Sequence, residues 1–452
     1  MNIVIIGDGK VGHRLARQLS DERYNVAMID PCERKLKETI NELDVSCFVG
    51  DGASAEVQRQ ADVPNADLVI ACTSTDELNM ICCLLAKRLG AKQTIARVRN
   101  PLYYQQIDLF KEDLKLSMEV NPELALAGEI SRVLIFPSAA KVETFAKGRV
   151  ELVEVGLGES SPLNGVALKD LYQKYQVKML ICAVQRGEEV YIPDGNFVLQ
   201  KGDKINIAAS HKDIEQFFKV AGAMRSKVKN VLICGGGRVA YYLAKQLEPL
   251  GMQVKIIEQS EARCLELCEL LPKATIIHGN ATDHELLEEE GIMHADAFVS
   301  LTGIDEENII MSMYAKTKQV SKVVTKVNGE ALQNLVDQLG IESVVSAKNV
   351  TANVISGYVR AMNNSMGSAN VETVYQLING KVEALEFQIR ERTQYTGIPL
   401  KDLSIKENHL VACIVRKRQI IIPGGNDTME VGDSVIVVSM SRGLEDLKEI
   451  FR

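Results

Sequence analysis

The chain alternates short apolar runs with stretches of helical periodicity, and it does so twice. Ile3–Ile6 and Val231–Cys234 are continuous apolar runs, the pattern of strands buried on both faces. Each is followed by a glycine turn and then by apolar residues at i, i+4 and i+8: Val11, Leu15 and Leu19 in the first copy, Val239, Leu243 and Leu247 in the second. That spacing predicts a helix with one face turned toward a sheet. A second apolar strand then ends in a carboxylate, Asp30 or Glu258. Each of these positions lies 228 residues from its counterpart, as 7 does from 235 and 30 from 258.

The repeat runs well past the first strand pair. The loop VGDGAS at 49–54 answers to HGNATD at 278–283, and the strand DLVIACT to AFVSLT. The polar cluster TSTDELN at 73–79 answers to TGIDEEN at 302–308, and the strand TIARVRN at 94–100 to VVTKVNG at 323–329. The offset here is 229, so one inserted residue separates the copies. Short strands alternating with helices predict an α/β fold with a doubly wound parallel sheet in each copy.

A second repeat interleaves with the first. VALKDL at 166–171 matches IPLKDL at 398–403, IPDGN at 192–196 matches IPGGN at 422–426, and Gly202-Asp203 matches Gly432-Asp433. Short strands joined by Gly, Pro and Asn turns predict small α+β domains. The expected order is therefore large–small–large–small, over 1–136, 148–222, 229–362 and 371–452. Linkers are expected near 137–148, 222–229 and 363–371, and the segment Asn363–Ser368 has linker composition.

Composition narrows the function. A net charge of −8 argues against a general nucleic-acid binder, which needs clustered cations for phosphate contacts. No apolar run reaches the roughly 18 residues of a spanning helix. The sequence opens directly on a strand, without the pattern of a secretory signal. The expectation is a cytoplasmic protein whose membrane connection comes through a partner. The ten cysteines form no CxxC pair; buried, reduced thiols rather than a metal site are expected.

The glycine turns carry the candidate chemistry. In Gly7-Asp8-Gly9-Lys10-Val11-Gly12 the first glycine permits a tight turn, the second lets backbone approach a phosphate, and the third lets helix pack on strand. The helix start then offers free N–H groups and a positive dipole end. The second copy reads Gly235, Gly237, Arg238, Val239 and Ala240 at the corresponding places. Asp30 and Glu258 should accept hydrogen bonds from a ribose, and their charge favours NAD or an adenosine nucleotide over NADP. Asp51 and Asn280 could close over the adenosine or simply form turns. Thr73, Ser74 and Thr302 fall at the carboxyl end of the fourth strand, facing the crevice. Lys10 and Arg238 could meet a phosphate. Arg97 and Arg99 alternate on the fifth strand, where the second copy has Lys326 and Asn328. Asp8 disfavours a dense phosphate cluster unless it points to solvent, and His13 is expected at the surface.

Together, GDGKVG with Asp30, GGGRVA with Glu258, the GDGAS and GNATD loops, TDELN and IDEEN, and the two LKDL…GD modules resemble the regulator-of-potassium-conductance (RCK, or KTN) domains. The resemblance covers essentially the whole chain, as two N-lobes each followed by a C-lobe. It implies a non-enzymatic regulatory subunit, peripheral on the cytoplasmic face of the membrane. Its implied partners are a Trk-type potassium-translocating subunit and further copies of itself in a tetrameric ring, and its implied ligands are NAD(H) and ATP or ADP. A regulator of another cation channel or of a cation/proton antiporter shares these features. An NAD-dependent dehydrogenase is the enzymatic alternative, but the small modules offer no evident acid–base pair.

Overall fold

A computed structural model describes residues 1–136, 138–146, 149–159, 161–220, 227–341, 343–365, 371–417, 419–441, 443–444 and 446–452. Most of the linker expected at 222–229 lies outside the described residues, as does 366–370. The chain divides into two compact units, Met1–Leu126 with Ser346–Val359, and Ala127–Val345 with Arg360–Arg452.

The first unit is built on a six-stranded parallel sheet. Its elements are β1 (Asn2–Ile6), α1 (Lys10–Asp21), β2 (Asn25–Asp30), α2 (Glu33–Glu42), β3 (Ser46–Val49), α3 (Ala55–Gln60), β4 (Leu68–Ala71), α4 (Asp76–Leu89), β5 (Gln93–Arg97), α5 (Pro101–Leu114) and β6 (Met118–Val120). Strand order is β3-β2-β1-β4-β5-β6, the doubly wound arrangement. Val4 and Ile6 of β1, Val69 and Ala71 of β4 and Cys82, Cys83 and Ala86 of α4 share its core. Local chemistry sets the helix starts: the side chains of Ser54, Thr75 and Asn100 accept from first-turn N–H groups of α3, α4 and α5, and Pro101 takes a first-turn place of α5. The helix α6 (Pro122–Ile135) begins in this unit, but from Ala127 onward it belongs to the other.

The second unit continues with β7 (Lys141–Phe145), β8 (Val150–Gly156), α7 (Leu171–Tyr175), β9 (Met179–Arg186), β10 (Glu189–Tyr191), β11 (Lys204–Ser210) and α8 (His211–Val220). These strands form a small antiparallel sheet in the order β10-β9-β11-β8-β7. The segment 137–148, read as a boundary, therefore contains the sheet's outer strand. Its sequence hides it, because Lys141 and Glu143 are charged and yet Glu143 is buried.

The second large sheet follows with β12 (Asn230–Cys234), α9 (Arg238–Leu247), β13 (Gln253–Glu258), α10 (Glu261–Leu270), β14 (Thr275–His278), α11 (His284–Glu289), β15 (Ala297–Ser300), α12 (Asp305–Thr317), β16 (Lys322–Lys326), α13 (Glu330–Gln338) and β17 (Ser343–Val345). Its order, β14-β13-β12-β15-β16-β17, repeats the first. Next comes α14 (Ala347–Ser365), of which 347–359 groups with the first unit. There Tyr358 donates a hydrogen bond to Gln93 Oε1 at 3.3 Å. The helix also runs through Asn363–Ser365, part of the segment read as linker.

The last sheet comprises β18 (Val371–Leu377), β19 (Val382–Gln388), β20 (His409–Arg416), β21 (Gln419–Ile421) and β22 (Ser434–Ser439), in the order β18-β19-β22-β20-β21. A 3-10 turn at Leu400–Asp402 repeats the one at Leu168–Asp170, and among the described residues of this module no α-helix stands in for α7 or α8. The two small sheets share one core, in which Phe145, Leu152, Cys182 and Ala208 pack with Leu377, Ala384, Cys413 and Val438. A fully buried side chain of Leu, Val or Phe size contributes about 1.5–3 kcal/mol, so each small sheet gains part of its core from the other. Charge is buried in this unit as well. Lys141 Nζ lies 3.1 Å from Glu143 Oε1. Burial, then the charge of Glu143, pushes the nearby Glu129 carboxyl up to about 7.

Candidate functional site

Each glycine turn lies at the carboxyl end of a central strand, β1 or β12, beside the point where the strand order reverses. Doubly wound sheets leave their ligand crevice there. Gly7 has φ +108°, and a Cβ on it would sit 2.8 Å from the Cys72 carbonyl oxygen, so the turn needs glycine. A Cβ on Gly12 would lie 1.9 Å from the Gly7 oxygen. Gly9 differs, since nothing stands within 4 Å of its Cβ position. It precedes α1, and no side chain caps that helix. The first-turn N–H groups of α1 are thus left without a side-chain acceptor beside open space, which suits an anion. The second copy repeats this: Gly235 has φ +99°, the Cβ position of Gly237 is open, and α9 has no side-chain cap. Ala240 stands fully buried at the third position.

The two carboxylates hold the turns. Asp30 Oδ2 accepts from the Asp8 N–H at 2.7 Å and Oδ1 from the Cys32 N–H at 2.8 Å. Glu258 Oε2 accepts from the Gly236 N–H at 2.7 Å and Oε1 from the Ser260 N–H at 2.8 Å. Each carboxylate oxygen has a second lone pair, so the brace leaves acceptor capacity toward the crevice.

Asp8 points inward. It is 5% exposed, and its Oδ2 accepts from Thr39 Oγ1 of α2 at 2.6 Å. Its Oδ1 lies 3.4 Å from His13 Nδ1, and that nitrogen is 3.1 Å from Thr39 Oγ1. Burial alone would raise the Asp8 carboxyl, but hydrogen bonds from His13 and Thr39 outweigh it and hold it below its usual range. The same hydrogen bond, against burial, raises the His13 imidazole. His13 thus meets Asp8 and Thr39 beside the turn and is not a plain surface residue.

The remaining predicted residues divide. Thr73 is fixed at the end of β4, its N–H and hydroxyl both donating to Asn79 Oδ1, at 2.6 and 2.7 Å. Thr302 and Asn308 repeat the arrangement at 2.9 Å for both bonds. Ser74 is exposed next to Thr73. Arg97 donates from Nη2 to the Thr73 carbonyl, while its buried Nε has no hydrogen-bond partner; burial lowers its pKa. Arg99 lies beyond β5 and is committed to Glu123 at 2.7 Å. Asp51 and Asn280 are exposed turn residues, accepting from the N–H groups of Ala53 at 2.9 Å and Thr282 at 3.0 Å. Lys10 and Arg238 are exposed at the helix starts, and Val11 is half-buried.

Sequence reasoning missed four contributors. Asn79 and Asn308 position the threonines. Asp76 accepts from the N–H groups of Arg99 and Asn100, at 2.9 and 2.7 Å, to shape the end of β5. Arg263 donates from Nε to the Gly236 carbonyl at 2.8 Å. Lys35 and Arg263 each follow their carboxylate by five residues, and that shared spacing was the available signal. Among the described residues, no cluster of three or more His, Cys, Asp or Glu could hold a metal ion, and no helix is long and apolar enough to cross a membrane.

Two doubly wound sheets, each with a glycine turn and each paired in the chain with a small antiparallel sheet, define a tandem RCK-type architecture. The TrkA-N domain model matches residues 3–118 and again 231–347, and the TrkA-C domain model matches 152–222. The Trk system potassium uptake protein TrkA homolog 1 of Methanosarcina mazei is 32% identical over 460 residues, covering 100% of both chains. The TrkA homolog of Archaeoglobus fulgidus is 33% identical over 452 residues, again covering 100% of both. TrkA of Halomonas elongata is 33% identical, covering 100% of this chain and 99% of its own. The chain belongs to the TrkA family of Trk system potassium uptake proteins. Among solved structures, the GsuK RCK domain has the same fold, with a TM-score of 0.63 at 18% identity over 98% of this chain and 93% of that one. The GsuK channel bound to NAD gives 0.61 at 17% identity, covering 98% and 77%.

Proposed function

We propose that this protein is a nucleotide-sensing regulatory subunit, acting on the cytoplasmic face of a Trk-type potassium transporter. The observation that carries the reading is the duplicated turn: two uncapped helix starts, each beside an open glycine and each braced by a carboxylate that keeps acceptor capacity for a ribose. NAD(H) and ATP or ADP are the ligands. Structures of GsuK bound to NAD and to ADP support this class. The first site comprises Gly7, Gly9, Gly12, Asp30, Thr73 and Arg97, which braces the Thr73 carbonyl. The second comprises Gly235, Gly237, Ala240, Glu258 and Thr302. Ligands that favour different shapes of a homo-oligomeric ring would move the gate of the membrane subunit, since only differential affinity shifts such an equilibrium.

The names of its TrkA relatives, components of an uptake system, favour a regulator over a dehydrogenase. Calorimetric titration with NADH, NAD⁺, ATP and ADP, on the wild type and on Asp30→Ala and Glu258→Ala, tests the reading. Binding that divides between the two variants is expected, and no binding of any of the four would overturn it. Potassium flux through the reconstituted membrane subunit should then change with the nucleotide supplied.

A further inference from the structure

The first site contains a titratable cluster that the second lacks. His13, Asp8 and Thr39 meet beside the first glycine turn, at the 2.6–3.4 Å distances between Thr39, Asp8 and His13. The corresponding residues of the second copy, 228 further on, are Tyr241, Gly236 and Leu267. That copy cannot hold a carboxylate in place, because a Cβ on Gly236 would sit 2.6 Å from Leu267 Cδ1. In the first copy the Asp8 N–H also donates to Asp30, so the cluster, the turn and the ribose-facing carboxylate form one connected piece.

We propose that the His13–Asp8 pair makes the first nucleotide site responsive to pH, so that it holds a diphosphate more tightly while His13 is protonated. This rests on the nucleotide reading of the first turn. With His13 charged, the pair is neutral and the helix start meets the diphosphate unopposed. Once His13 gives up its proton, the Asp8 carboxylate stands uncompensated inside the turn and repels the ligand. The neighbours allow His13 to titrate. From α1, Arg17 Nη2 lies 3.5 Å from Nε2 and opposes the charge; from α2, Glu42 Oε2 lies 3.4 Å from the same nitrogen and favours it. Lys35 of α2 acts on Asp8. Cys47 of β3 stays a neutral thiol, pushed up to about 11 by burial and by Asp8. A bound anion favours the imidazolium, so by linkage affinity falls as pH rises through the His13 titration.

NAD⁺ is the probe, because its diphosphate bridge is a diester with no proton to exchange in this range. The full chain is titrated with NAD⁺ by calorimetry near pH 6 and pH 8, as wild type, His13→Gln and Asp8→Gly, with Asp30→Ala and Glu258→Ala assigning the sites. First-site affinity should fall about tenfold across the range, as for a ligand-induced shift of one pKa unit. His13→Gln should bind with the weaker affinity at both pH values and Asp8→Gly with the tighter, while the second site stays flat. First-site affinity that is equal at the two pH values, or a pH dependence that survives in both variants, would overturn the proposal and leave the nucleotide site standing. Absence of NAD⁺ binding at either pH, or binding indifferent to Asp30→Ala and Glu258→Ala, would overturn the nucleotide reading and the proposal with it.

Discussion

Asp30 holds Asp8: the backbone N–H of the turn residue donates to the strand-end carboxylate at 2.7 Å. The carboxylate braces the turn and, under the proposed function, also offers an acceptor to a ribose. Replacing it with alanine should therefore reduce stability as well as affinity. The lost brace leaves the buried Asp8 N–H unpaired, and we expect Asp30→Ala to cost about 1–3 kcal/mol in urea denaturation, together with loss of first-site nucleotide binding. Glu258→Ala should do the same at the second site alone. A variant that keeps full stability would show that water replaces the brace.

The third turn position distinguishes the copies. Gly12→Ala places a Cβ 1.9 Å from the Gly7 oxygen, and the helix can yield only by moving. A loss of more than about 2 kcal/mol is expected, with first-site binding lost. The reverse change, Ala240→Gly, should cost only about 1 kcal/mol through helix propensity. Thermal unfolding of the two variants side by side gives the comparison.

The buried carboxylate of Glu129 gives stability a pH dependence of definite sign. Its folded pKa of about 7 lies above the ordinary carboxyl value of 4.5. The folded chain keeps a proton that the unfolded chain releases, so this group's contribution is full below pH 4.5 and is lost as pH rises through about 7. Glu129→Gln should flatten that slope and be more stable than wild type at alkaline pH by roughly 1–3 kcal/mol. Urea midpoints on either side of neutrality would show it, and parallel slopes for the two proteins would refute it.

Each small sheet carries the same buried latch. Arg186 grips Asp203 through two hydrogen bonds of 2.8 Å, and Arg416 grips Asp433 at 2.9 and 2.7 Å. Asp203→Ala should destabilise by about 2–4 kcal/mol. That is below the figure for a fully buried pair because Arg186 reaches water. The loss should shrink in the Arg186→Met/Asp203→Ala double variant, which leaves no unpaired charge.

The elements with strong periodicity were legible in the sequence. β1, α1 and β2 declare themselves through Ile3–Ile6, Leu15, Leu19 and Asp30, and the second copy repeats them. β7 was not legible, because a short strand with charged residues at Lys141 and Glu143 carries no clean alternation. Nor was the grouping of 346–359 with the first sheet, since an amphipathic helix shows which face it buries and not which sheet covers it. At the site, the glycines and carboxylates were readable from spacing. The inward turn of Asp8 was not, because it depends on Thr39, thirty-one residues away in sequence. Arg99 was read as a residue of the fifth strand, yet it falls beyond β5, where Glu123 claims it from the start of α6.

The exchange of helices limits how the chain can be divided. The internal duplication invites a cut near residues 221–226, yielding two half-length regulators for separate study. Such a cut would part the two small sheets, which share one core, and deprive the first unit of 346–359, which group with it. Neither fragment would be self-sufficient, and each would expose an apolar sheet face. Any dissection of the two sites therefore has to proceed by point substitution within the intact chain.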